Sequence, residues 1–91
     1  MKTVYKFRVP IADVFIQELP EGAIVLAVGE QLGVPQMWVE LDTERPPVAR
    51  RFRLFGTGHE FVSDLSLNFV GTFQTMGGRF VWHLYEETVS I

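Results

Sequence analysis

The chain has 91 residues, 47% of them apolar and 13% aromatic, with no cysteine and a net charge of −3. This length fits one domain, residues 1–91, and the apolar content is too high for a disordered chain. The absence of cysteine excludes disulfides, zinc ribbons and thiol nucleophiles, and the acidic balance argues against general nucleic-acid binding.

Four segments in the first half of the chain have strand character. Residues 3–9 alternate apolar and polar side chains, the pattern of a half-buried strand, and residues 14–19 form a second strand closed by the turn 20–22. Residues 23–29 are largely apolar and predict a central strand covered on both faces. Residues 37–42 alternate again.

The second half is divided by turn residues. Residues 43–48 contain Pro46-Pro47 and are predicted as a loop, before a fifth strand at 51–55. A helical turn is expected within 61–66, and the last two strands at 67–74 and 79–86. The sequence thus predicts an all-β fold of about seven short strands, an antiparallel sandwich or partly open barrel with at most one short helical turn.

The last two strands are predicted to form a hairpin, because Gly77 and Gly78 readily supply the positive φ of a tight turn. The pairing sets Phe73 opposite Phe80, or is shifted by two residues if the turn is on the glycines. Both registers place the same residues on one face: Phe69, Gly71, Phe73, Phe80, Trp82 and Leu84. The other face holds Val70, Thr72, Val81, His83 and Tyr85.

The segment Gly56-Thr57-Gly58-His59 is the main candidate for a binding loop. Its glycines allow the backbone to direct successive N–H groups at an anion, and nearby arginines would add charge. Trp38 falls out of phase with the apolar residues of its strand, so it is expected to be exposed and to stack on a ligand or a partner. The alternative is an ordinary glycine turn. The candidate ligand-binding residues are Trp38, Arg51, Arg53, Gly56, Thr57, Gly58 and His59.

Neither catalysis nor a metal site is supported. The histidines, His59 and His83, have no spacing that would bring them to one metal with a carboxylate. There is no paired-carboxylate pattern and no nucleophile elbow around a serine, so we expect no enzyme activity, no metal and no cofactor. No apolar run is long enough to cross a membrane, and we expect no membrane as a partner. Because a small sheet domain buries little surface and has edges, a homo-oligomer is expected.

Several short motifs together resemble a group of small proteins of phage and prophage genomes that form a domain of unknown function. They are the opening residues 1–7, the segments 20–23, 34–35 and 70–73, the Gly56-Thr57-Gly58-His59 and Val81-Trp82-His83-Leu84 motifs, Trp38, and Gly77-Gly78. The resemblance covers nearly the whole chain. It implies a phage accessory protein acting in the host bacterial cytoplasm, and it brings no catalytic residues with it.

Two functional hypotheses follow. The first is a non-enzymatic binding protein that antagonises host defence by sequestering a small anionic, nucleotide-like ligand. The alternative is a structural or protein-interaction module, such as a minor virion or assembly protein, or a direct inhibitor of a host defence complex. Clustering of Arg51, Arg53, Thr57 and His59 around one concave pocket would favour the ligand. A flat surface of exposed aromatic residues would favour a protein partner.

Overall fold

The computed structural model describes residues 1–62 and 65–88. It contains seven strands in two antiparallel sheets, and 67% of it is strand, which confirms the all-β prediction. One sheet has three strands in the order β1-β4-β3, and the other has four in the order β2-β5-β7-β6. The strands are β1 (Lys2–Arg8), β2 (Val14–Pro20), β3 (Ile24–Gln31), β4 (Val34–Asp42), β5 (Pro47–Gly56), β6 (Leu67–Thr75) and β7 (Phe80–Glu87).

The core lies between the two sheets, which do not close into a barrel. Alternation places every second residue of a strand on this inner face, as in β4, where Met37, Val39 and Leu41 are buried. The four-stranded sheet contributes the other half of the same apolar cluster. The buried core residues are Val9, Leu19, Ala23, Met37, Val39, Leu41, Phe52, Leu54, Phe73 and Leu84.

The predicted central position of the third strand is wrong. β3 is at the edge of the three-stranded sheet and pairs with β4 alone. Ile24 and Leu26 are each 53% exposed, although Val25 and Val28 pack against the core. A continuous apolar run is therefore compatible with an edge strand here, because one face packs on the core and the other carries exposed apolar side chains.

Two local predictions also need correction. The loop expected at 43–48 ends earlier, because Pro47 and Val48 already belong to β5; proline is tolerated as the first residue of a strand. The helical turn of the described residues is a 3₁₀ turn, Met76–Gly78. Residues 61, 62, 65 and 66 are not helical, and Ser63 and Asp64 lie outside the described residues.

The β6–β7 hairpin adopts the second of the two predicted registers, with Phe73 opposite Trp82. Gly77 and Gly78 have φ of +67° and +92°, as their place in the turn predicts. A β-bulge at Val70 then shifts the register, so that Phe69 faces Tyr85 on the outer side of the sheet. Phe69 is 59% exposed and Val70 packs against the core, which reverses the predicted faces of both.

Arg50 links the two sheets at one end of the core. Its guanidinium donates hydrogen bonds to both carboxylate oxygens of Glu86 on β7, and a third, of 2.6 Å, to the carbonyl oxygen of Ala23, just before β3. The hydrogen bond to Glu86 raises the pKa of Arg50 above its ordinary value, against the effect of desolvation. Arg50 therefore remains charged at neutral pH, and its pairing with Glu86 is structural. In the two described ranges no helix is long and apolar enough to cross a bilayer.

Candidate functional site

The Gly56–His59 segment forms a tight turn at the end of β5. The amide of His59 donates to the carbonyl oxygen of Gly56 at 3.0 Å, and the amide of Thr57 donates to the carbonyl oxygen of Val81 on β7 at 3.2 Å. Gly58 has φ of +89°, a conformation that side chains with a Cβ rarely adopt. Gly58 thus supplies the positive φ of this turn, which fits the alternative of an ordinary glycine turn.

Gly56 has a different role, because its missing side chain makes room for the imidazole of His59. A Cβ on Gly56 would lie 2.8 Å from Cε1 of His59, well inside van der Waals contact. The amide of Gly56 donates to Nδ1 of His59 at 3.0 Å. Because Nδ1 accepts this bond, the proton of a neutral ring is on Nε2, which remains a donor. His59 therefore packs in its own turn with a defined tautomer, and its ring lies edge-on to Trp82.

The predicted backbone nest for an anion is not present. The amides of Gly56, Thr57 and His59 all donate to partners within the protein, so the turn does not present successive free N–H groups. Any anion bound at this turn would depend on side-chain donors instead.

Three separate segments of the chain meet at His83 on the outer face of β7. Nε2 of His83 is 2.7 Å from the hydroxyl of Thr57, and Nδ1 is 3.0 Å from the hydroxyl of Thr72 on β6. Both ring nitrogens thus have protein partners, which fixes the ring between the β5 turn and β6. This contact unites the three motifs 56–59, 70–73 and 81–84, which lie apart in the sequence.

The two arginines predicted to supply charge are both paired with one carboxylate. Arg51 and Arg53 lie on the outer face of β5, and the Nε of each donates to Oε2 of Glu87 on β7. Arg53 also lines a cavity of about 470 Å³ with His59, whereas Arg51 and Thr57 do not. The structure therefore does not gather Arg51, Arg53, Thr57 and His59 around one pocket.

Trp38 is not part of this site. It lies half-buried on the outer face of β4 in the three-stranded sheet. Its ring packs against Gly29 of β3, where an added Cβ would lie 3.8 Å from Cζ3 of the indole. It lines neither the cavity at Arg53 nor the concavity beside the Gly56–His59 turn. Its predicted outward phase is correct, but the folding of the chain places it on a different sheet from Gly56.

A second concavity, of about 210 Å³, opens beside the Gly56–His59 turn, and we call it the Arg79 groove. Arg79 is the residue with a permanent charge in its wall, and no carboxylate of the described ranges forms an ion pair with it. Phe80 is 46% exposed at its edge. The wall consists of Gly56, Thr57, His59, Arg79, Phe80, Val81 and Trp82.

Sequence reasoning did not identify Arg79 as a site residue. It lies 20 positions from His59, and the two come together because β5 pairs with β7, with Gly56 opposite Trp82. The hairpin turn was recognisable from its glycines, but the β5–β7 pairing is a long-range contact without a local signal. Without knowledge of that pairing, Arg79, which follows Gly77 and Gly78, cannot be connected to the Gly56–His59 turn.

An aromatic cluster covers part of the outer face of the four-stranded sheet. Phe55 stacks on Phe61 with ring centroids 4.0 Å apart, and Tyr85 contacts both of them as well as Phe69. Phe61 is 47% and Phe69 is 59% exposed. Exposed aromatic rings on an open sheet face are typical of surfaces that bind other proteins.

Residues 1–90 match the family described as a domain of unknown function (DUF7352), and the chain belongs to that family. No curated protein and no solved structure matches it. The expected resemblance to a domain of unknown function over nearly the whole chain is therefore confirmed at the level of the family.

Proposed function

We propose that this member of the family is a non-enzymatic phage accessory protein that binds a small anionic, nucleotide-like ligand in the Arg79 groove. It would act in the cytoplasm of the bacterial host and antagonise defence by sequestering the ligand. The phage assignment rests on the resemblance of the sequence motifs to small proteins of phage and prophage genomes.

The observation that carries the proposal is the charge of the groove. Arg79 offers five N–H donors in a planar fork suited to phosphate or carboxylate, and no described carboxylate neutralises it. His59 has Nε2 as a second donor, since its Nδ1 accepts the amide of Gly56. The exposed ring of Phe80 offers a surface on which a planar base can stack.

The contributions of the predicted residues are revised accordingly. Gly56 and Gly58 shape the turn, and His59 is a hydrogen-bond donor to the ligand. Thr57 only lines the groove, because its hydroxyl is already paired with His83. Arg51 and Arg53 are excluded from the proposed contact because Glu87 pairs with both. The volume of the groove, about 210 Å³, suits one charged group with part of a ring rather than a whole large ligand.

Calorimetric titration against nucleotides, cyclic nucleotides and inorganic phosphate tests this proposal. Arg79→Ala is expected to weaken binding by roughly ten- to a hundredfold, the loss of a charge-assisted hydrogen bond of about 1.5–3 kcal/mol. Arg45→Ala is the matched control, because Arg45 is exposed and paired with Glu21 at another end of the molecule. Equal affinities of the two variants, or no binding of any ligand to the wild type, would contradict the proposal.

Arg51, Arg53, Thr57 and His59 do not share one pocket, and aromatic rings are exposed on the outer face of the four-stranded sheet. Both observations favour a second candidate, a module that binds a host defence protein, a virion protein or a second copy of this chain. A photo-crosslinking phenylalanine analogue at position 69 would report its partner in infected cells. Native mass spectrometry of the protein purified from those cells would give its oligomeric state and any ligand that remains bound. Crosslinking at position 69 without a bound ligand would favour this candidate over the first.

A further inference from the structure

One of the two edge strands of the three-stranded sheet, β1, carries a further inference. β1 pairs with β4 on one side and with no strand of the described chain on the other. Six of its seven residues are exposed, and it contains neither proline nor a bulge. Such an edge presents a row of unpaired backbone donors and acceptors to another chain.

The residues whose backbone groups face outward follow from the register. At one end of β1 the amide of Thr43 donates to the carbonyl oxygen of Met1. At the other end the amide of Val9 donates to the carbonyl oxygen of Pro35. Both are cross-strand pairs in the register of β1 with β4. Because hydrogen-bonded pairs recur at every second residue of an antiparallel ladder, residues 3, 5 and 7 bond to β4. The N–H and C=O groups of Lys2, Val4, Lys6 and Arg8 therefore point away from the sheet.

The charged side chains of β1 are all cationic and all lie on one face of the sheet, where Asp42 of β4 is opposite Lys2. Lys2, Lys6 and Arg8 lie on the outer face of the sheet, because their partners on β4 alternate with the buried Met37, Val39 and Leu41. None of the three forms an ion pair with a described carboxylate; Lys6 donates to the amide oxygen of Gln31 at 2.7 Å. On the inner side, Tyr5 is 51% exposed.

We propose that β1 binds an extended, acidic segment of a partner protein as a fourth strand of this sheet. Its acidic residues would alternate with apolar ones, facing Lys2, Lys6 and Arg8 on the outer side and covering Tyr5 on the inner side. Opposite charges directly across a strand pair are favourable, and the backbone bonds supply affinity that does not depend on sequence.

A second copy of the chain does not fit this edge. If β1 pairs with β1 of another molecule so that the outward amides meet, the registers that pair most of the strand set Lys2 opposite Arg8, Lys2 opposite Lys6, or Lys6 opposite Lys6. Like charges therefore oppose each other in these registers. The other edge strands of the two sheets are β2, β3 and β6, and none of them contains a lysine or an arginine. In addition, β2 ends at Pro20, and β3 and β6 are each interrupted by a β-bulge.

The test uses fluorescence anisotropy with a labelled eight-residue peptide of alternating glutamate and valine. Two controls are a peptide of the same composition with its glutamates in adjacent pairs, and one in which lysine replaces glutamate. We expect the alternating acidic peptide to bind at least about tenfold more tightly than either control, because only it matches both backbone register and charge.

Two variants locate the contact on β1. Val4→Pro removes one outward N–H without removing a bond to β4, and is expected to reduce the affinity at least about tenfold, whereas Val4→Ala is not. Lys2→Glu combined with Lys6→Glu is expected to reverse the preference toward the lysine peptide. If Val4→Pro does not fold, this charge reversal by itself locates the peptide contact on β1. Arg79→Ala leaves this binding unchanged, so it is tested separately from the groove.

The proposal is overturned by any of several outcomes. These are no binding of the acidic peptide, equal affinity for the paired-glutamate control, and retained affinity in both β1 variants. Tighter binding of a single-stranded oligonucleotide would identify the edge as a phosphate-binding surface instead. Dimerisation of the wild type that Val4→Pro abolishes would show that a second copy occupies it.

Discussion

Phe73→Ala is expected to lower the free energy of unfolding by about 3–5 kcal/mol, the largest stability effect that the fold predicts on β6. Phe73 is 4% exposed and belongs to the core shared by the two sheets. Removing its ring leaves a cavity that the rigid strands around it fill only in part. Urea unfolding followed by tryptophan fluorescence measures the change, with a lower midpoint and an unaltered slope.

Phe69→Ala is the matched control, because it removes the same ring four residues away on the same strand. Simple alternation would place both rings in the core, but the bulge at Val70 turns Phe69 outward, where it is 59% exposed. Its loss is expected to cost about 1 kcal/mol or less, the contact with Tyr85. Similar costs for the two variants would show that β6 has no bulge in solution.

Gly71→Ala is expected to destabilise the protein by about 1–3 kcal/mol, although the same change in an unobstructed strand stabilises. A Cβ on Gly71 would lie 2.7 Å from Cγ1 of Val28 on β3, where β3 passes close to β6. Val28 is stiff at χ1, so its methyl group cannot simply turn away. The added atom must therefore push the two strands apart, and thermal unfolding is expected to show a lower midpoint.

The double variant with Val28→Ala isolates this contact. With the methyl group gone, the substitution at Gly71 is expected to be neutral or slightly stabilising, giving a coupling free energy of about 1–3 kcal/mol between the two positions. Additive costs would mean that Gly71 matters for another reason than the passage of β3. The cycle thus tests how closely the two sheets approach each other.

Local patterns were sufficient for those elements whose residues pack mainly on one side. The alternation in β1 and β4 correctly separates Val39 from Trp38, and the two glycines before Arg79 mark the last turn. The alternation of β5 places Arg51 and Arg53 on its outer face, as observed. In each of these strands one face packs on apolar neighbours and the other faces water. The alternation of apolar and polar residues is therefore sufficient to assign each side chain to its face.

Partners distant in the chain decided the remainder. β3 has the composition of a central strand, but strand order depends on which edges meet, and no local residue encodes that. The bulge at Val70 is a feature of the pairing of β6 with β7, and no local residue pattern signals it. Glu87 pairs with Arg51 and Arg53 from 34 or more residues away, and so removes them from the candidate site.

The sequence by itself therefore determined the all-β class, seven strands, the last hairpin turn and the loop of Gly56–His59. Tertiary structure alone decided the sheet order, the outward turn of Phe69, the pairing of the arginines and the presence of Arg79 beside His59. The physical reason is that periodicity and turn chemistry act over a few residues. Strand pairing and charge compensation instead join residues that are far apart in the chain, and their outcome depends on the packing of the whole core.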